Sequence, residues 1–157
     1  MSCDAVAFAA TLWLASTSAT PDAIQPNTSA VTPPSVASEP LFLDIVHRAG
    51  KLKSETQAFE TGQLNTGFAQ MNGASSFEDE VKQLSDLDMQ GHVNLVSRGY
   101  QDDLKCILKG ISQDLPVKLQ ALEAAADPKA RHQALDDMFY LLRDNVEVIT
   151  APPQPAA

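Results

Sequence analysis

Two stretches decide the fold: MQGHVNLVSRGYQDDLKCILKGI (89–111) and LDDMFYLLRDNVEVI (135–149). In the first, Met89, Val93, Val96, Tyr100, Leu104, Ile107 and Ile111 recur at steps of three and four, which places them on one stripe of a 3.6-residue helix. In the second, Leu135, Met138, Leu142, Val146 and Ile149 do the same. Neither stripe can face water without loss, because burying one large apolar side chain contributes roughly 1.5–3 kcal/mol. The two are expected to pack on each other across a short proline-marked joint.

Upstream, Ser38-Glu39-Pro40 reads as a helix start, with a hydroxyl cap, an acid at the positive end of the helix dipole and a proline where its missing N–H costs nothing. Leu41, Phe42, Ile45, Val46, Ala49, Leu52, Thr56 and Phe59 then keep helical spacing, so a first helix is expected over 40–61 with Gly62 as its stop. The polar, glycine-bearing text from Gly62 to Ser75 reads as a connection with one loose turn. Ser76 and Asp79 resemble a capping box, and Glu78, Asp79 and Glu80 suit a first helical turn better than a metal site, because neighbouring side chains diverge around a helix. Phe77, Val81 and Leu84 open a stripe that slips by five residues at Met89, with Gly91 at the slip. A helix break or a kink is expected there. The next helix is expected to stop at Gly110, with restarts at Asp114–Pro116 and at Asp127–Pro128. The fold class is therefore all-α, a small bundle of four to five helices behind a disordered N-terminal tail.

Residues 1–39 contain no Lys or Arg and are dense in Ala, Ser, Thr and Pro, a composition with little to bury. The expected organisation is a disordered leader over 1–37, a helical domain over 38–150 and a Pro-rich tail over 151–157. Within the leader, Val6 to Ala15 is an apolar run followed by small residues, as in a secretory signal, yet Asp4 stands where a positive n-region belongs. An ordinary cleaved signal is therefore not expected, and the run is too short to span a bilayer. Twenty acidic residues against eleven basic ones give a net charge of −9, which repels a phosphate backbone or an anionic membrane. Nucleic acid is excluded as an expected partner. Cys3 and Cys106 allow at most one bridge between the tail and a core helix, which is no disulfide framework and neither requires nor excludes an oxidising compartment, and Cys106 reads as a small buried hydrophobe.

His47, within HRAGKLK (47–53), is the one phosphoacceptor candidate. This run resembles the phosphorylatable helix of histidine phosphotransfer domains, four-helix bundles of similar size with a basic residue and a glycine one turn beyond the histidine. The order departs from that family, because Gly50 precedes Lys51 here and Leu52 and Lys53 replace the small residues that should follow. The resemblance implies an exposed imidazole beside a cation. His92 with Asp88, and His132 with Asp136, form pairs at i, i+4, but the Glu-x-x-His spacing of bundle metal sites is missing, so no metal is expected. Asp102-Asp103 and Asp136-Asp137 read as solvated faces. There is no glycine-rich phosphate loop, activated serine or zinc spacing, so no catalytic residue and no cofactor is expected.

The segment ASTSATPDAIQPNTSAVTPPSVASE (15–39), joined to an acidic helical body, resembles the uncleaved leaders of small proteins exported by bacterial type III secretion systems, effector and pilus-associated types included. That resemblance implies a non-enzymatic interaction or structural protein, secreted in pathogenesis or symbiosis. The alternatives are a phosphotransfer domain using His47 and a cytosolic adaptor or secretion chaperone. Any partner is expected to be a protein docked on an apolar helix face, and the localisation secreted or cytoplasmic.

Overall fold

The computed structural model describes residues 35–100 and 103–151. The readings of the leader before residue 35, of Asp102 and of the tail beyond residue 151 lie outside the described residues. Residues 35–37, expected to belong to the disordered leader, are part of the folded body: Val36 is buried in the core and its carbonyl accepts the Glu39 N–H at 2.9 Å, because the turn before α1 folds this apolar side chain inward. Four α-helices are present among the described residues: α1 (Pro40–Gly62), α2 (Ala74–Ser97), α3 (Leu104–Glu123) and α4 (Pro128–Thr150). No strand occurs among the described residues. The helices follow one another around a bundle, α1 bordering α2 and α4, and α3 bordering the same two. Ion pairs of Glu39 with Arg98 and of Lys51 with Glu80 fix α1 and α2 as antiparallel.

The apolar spacing of α1 and α4 is realised at most positions read; on α1, Leu41 and Val46 are half-buried, and Gly62, expected as the stop, is the last residue of the helix with Gln63 as its C-cap. Phe42, Ile45, Ala49, Leu52, Thr56 and Phe59 are buried on α1; Leu135, Met138, Leu142 and Ile149 are buried on α4, with Val146 half-buried. Glu39, and not Ser38, occupies the N-cap position, makes no side-chain cap bond, and is followed by Pro40 as expected. Asp127 caps α4 by accepting the Ala130 N–H at 2.9 Å.

The connection between α1 and α2 closes one end of the core. A single 3-10 turn (Phe68–Gln70) carries Phe68 inward beside the buried Met71. Phe59, Phe68 and Phe77 meet edge to face, with ring centroids 5.3–6.1 Å apart. Gln63 and Asn72 tie the ends of the connection: the Asn72 N–H donates to Gln63 Oε1 at 2.6 Å. Gly73 then takes φ +93° at the N-cap of α2, so the helix starts ahead of the expected capping box. Ser76 instead donates to Glu80 Oε1 at 3.2 Å.

Between residues 74 and 123 the helices differ from the sequence reading. The expected stripe from Met89 to Ile111 does not exist, because Val93 and Val96 are 58% and 51% exposed and the chain turns at Gly99. Phe77, Val81, Leu84, Asp88, Gly91 and Leu95 form the buried face of α2, which runs without a break through Gly91. Gly99 ends α2: at φ +68° its N–H donates to the Val96 carbonyl and the Tyr100 N–H to the Leu95 carbonyl, the paired bonds of a Schellman motif. Gly110 and Pro116, expected as stop and restart, both lie inside α3. Proline at 116 removes the donor that the Ser112 carbonyl would have used. Ser85 Oγ on α2 donates to that carbonyl at 2.8 Å, so the freed acceptor is satisfied by the neighbouring helix.

Candidate functional site

His47 projects from the exposed side of α1 into a shallow cleft shared with α2. Asp44, His47, Arg48 and Lys51 line it from α1, and Ser76, Asp79, Glu80 and Gln83 from α2. On each helix these positions lie three and four residues apart, so each set shares one face. Exposure of the imidazole agrees with what the phosphotransfer resemblance implies. The cations beside it are engaged.

Arg48 Nε donates to Asp44 Oδ1 at 2.9 Å and its Nη1 to Gln83 Oε1 at 3.0 Å. Lys51 Nζ bonds Glu80 and lies 3.5 Å from Glu55. The Glu80 hydrogen bond is the main reason that the Lys51 ammonium is held above its usual range, and the same bond holds the Glu80 carboxyl below its own. Asp44, Glu55, Asp79 and Glu80 outnumber the two cations, so an incoming phosphoryl group meets net negative charge. The cleft is built to pin α1 on α2. Incubation with acetyl phosphate is accordingly expected to leave no acid-labile label on the protein. A label that appears and then vanishes in His47→Gln would reverse that assignment.

The two histidine–aspartate pairs do not converge. His92 donates its Nδ1–H to the Lys105 carbonyl at 2.6 Å, across the α2–α3 seam. Asp88 is buried in the core, where Asn145 Nδ2 donates to its Oδ2 at 2.8 Å. Desolvation pushes the Asp88 carboxyl up to about 8, opposed by the Asn145 bond. His132 stands at the far end of the bundle on α4, with Nδ1 2.9 Å from Glu60 Oε1 and 3.8 Å from Asp136 Oδ2.

The adjacent carboxylates diverge as expected. Asp137 turns from Asp136 to accept from Lys118 Nζ at 3.0 Å and Gln133 Nε2 at 2.8 Å, and the Lys118 bond leads in lowering its carboxyl. Asp103 is exposed at the start of α3. Cys106 is half-buried and disulfide-bonded, not a free thiol deep in the core, because the buried side of α3 runs through Leu104, Leu108 and Ile111.

Two features had no sequence signal. One is the Asp88–Asn145 bond between α2 and α4. The other is Arg131, only 4% exposed, which donates to the Leu64 carbonyl at 2.6 Å and the Ala125 carbonyl at 3.1 Å. Arg131 falls on the core side of α4, one helical turn before Leu135, but a charged letter there reads as surface. No family model, curated protein or solved structure matches the chain.

Proposed function

We propose that this chain is a non-enzymatic interaction protein of the type III secreted kind, a small acidic four-helix body delivered by its Ser/Thr/Ala/Pro leader. The observation that supports this reading is where the composition changes. Lys and Arg are absent through residue 39, α1 begins at Pro40, and the helices from there to Thr150 supply nearly all of the buried core of the described residues. Such a division suits export of the chain by its leader, since residues 15–39, where the resemblance lies, are poor in large apolar side chains and gain little by folding.

The bundle also leaves little apolar stripe over. Leu43, Val93, Val96, Val117 and Tyr140 are the exposed large apolar side chains among the described residues, and they are spread over all four helices. On this reading the protein partner meets α4, where Tyr140 packs edge to face on Phe139 and lies under the Arg143 guanidinium at 4.8 Å. Aromatic and arginine side chains carry the largest shares of interface energy. No helix among the described residues is long and apolar enough to cross a membrane.

The test fuses residues 1–40 to a reporter in a bacterium that is competent for type III export. Uncleaved reporter in the medium is the expected result. Cleavage near Ala19 would make the leader an ordinary signal peptide, and retention would leave a cytosolic adaptor or secretion chaperone as the better account.

A further inference from the structure

At the end of the bundle where α1 finishes and α4 begins, Glu60, His132 and Asp136 bring three ligand atoms within 4.8 Å of one another. His132 and Asp136 lie one turn apart on α4, and Glu60 comes from the last turn of α1. A zinc ion holds nitrogen and oxygen at about 2.0–2.2 Å, which sets neighbouring ligands of a tetrahedral site about 3.4 Å apart. The observed separations from His132 Nδ1, 2.9 Å to Glu60 Oε1 and 3.8 Å to Asp136 Oδ2, lie on either side of that value. The third pair, Glu60 with Asp136, lies within 4.8 Å, so closure on one ion draws the side chains inward.

The backbone that carries these ligands is fixed by other bonds. Buried Arg131, next to His132, clamps the start of α4 to the Leu64 and Ala125 carbonyls, and the Asp127 cap holds the first turn. The backbone beneath His132 is therefore ordered before any ion arrives, and only the three side chains remain to be fixed. The three side chains keep water access, at 49% for His132, 31% for Glu60 and 41% for Asp136, so an ion has an entry path and a fourth position for water.

We propose that Glu60, His132 and Asp136 form a site for a divalent transition-metal cation of the zinc class, which ties α1 to α4. One imidazole with two carboxylates suits zinc and its neighbours better than magnesium, which prefers an all-oxygen shell. The site stands independently of the secretion reading.

Calorimetric titration of the untagged full chain with zinc chloride tests it. One saturable ion is expected, with Tm raised by roughly 5 °C or more when zinc exceeds its Kd about 100-fold, and magnesium giving no rise. His132→Ala and Glu60→Gln should each weaken binding at least about tenfold, and both positions are exposed enough to be changed without unfolding the bundle. Zinc binding that is absent, or that persists at wild-type strength in both variants, would overturn the assignment to this triad.

Discussion

Phe77→Ala is expected to lower the unfolding free energy by about 3–5 kcal/mol, whereas Val93→Ala on the same helix should stay within about 0.5 kcal/mol. Phe77 is fully buried and closes the aromatic cluster with Phe59 and Phe68, so its removal leaves a cavity between α1, α2 and the 3-10 turn. Edge-to-face pairs contribute about 0.5–1.5 kcal/mol beyond buried area, and two such contacts are lost together. Val93 sits outside that network, and truncating it removes little but solvent-facing surface. Urea unfolding of both variants measures the contrast. Equal losses would mean that the phase of α2 is wrong, and with it the packing of the bundle. Since small domains hold only about 5–15 kcal/mol in total, the larger loss removes a large share of the stability and should move the urea midpoint well below that of the wild type.

That contrast also marks where the sequence was readable. The faces of α1 and α4 were legible because nearly every inward position carries an apolar side chain, Phe42 to Phe59 on one helix and Leu135 to Ile149 on the other. On α2 the inward positions include Asp88 and Gly91, which carry a carboxyl and no side chain at all. A reading by hydrophobic period skips both letters and attaches itself to Met89, Val93 and Val96, which look outward or sideways. Gly91 has a spatial reason: a Cβ there would lie 3.0 Å from Leu108 Cδ1 and 3.3 Å from Ile45 Cδ1, so its absence lets side chains of α1 and α3 close over α2. Gly99 and Gly110 are the same letter, yet only Gly99 adopts the left-handed conformation that stops a helix.

Pro116 looked like a boundary because a proline strands the carbonyl four residues earlier. The hydroxyl that rescues that carbonyl, Ser85, belongs to another helix and gives no local signal. The same limit applies to the sites. Exposure of His47 followed from its place on α1, and the i, i+4 pairing of His132 with Asp136 followed from α4. Engagement of Arg48 and Lys51 by α2, and the approach of Glu60 to His132, depend on which helices become neighbours. No spacing rule within one helix encodes that choice.

The stability of Asp88→Asn is expected to pull away from that of the wild type as pH rises, the gap growing by roughly 3 kcal/mol between pH 5.5 and 8. Asp88 and Asn145 sit on α2 and α4, helices that face each other across the core, and both side chains are fully buried. The Asn145 amide supplies one hydrogen bond, while Asp88 Oδ1 and Asn145 Oδ1 have no partner. A neutral carboxyl adds the O–H donor that this pair of oxygens lacks; an ionised one adds only an unpaired charge in an apolar interior. The sign follows from the two pKa values. In the unfolded chain the carboxyl ionises near its ordinary value of about 3.9, and in the folded bundle burial moves it up to about 8. Below the lower value both states are protonated, and the full stability of the neutral pair is present. Between the two values the unfolded state sheds a proton that the folded state keeps, so stability falls by about 1.4 kcal/mol per pH unit, and above the folded value the loss levels off. Asparagine at 88 has the same shape, accepts from Asn145, offers an N–H to the amide oxygen and has no proton to lose. The variant should therefore match the wild type most closely in mild acid and exceed it in mild alkali. Urea midpoints for both proteins at pH 5.5, 7 and 8.5 read the difference directly, because every other titrating group is common to the pair. Parallel pH profiles would show that Asp88 is ionised in the folded protein, or that its burial in the bundle is not the state found in solution.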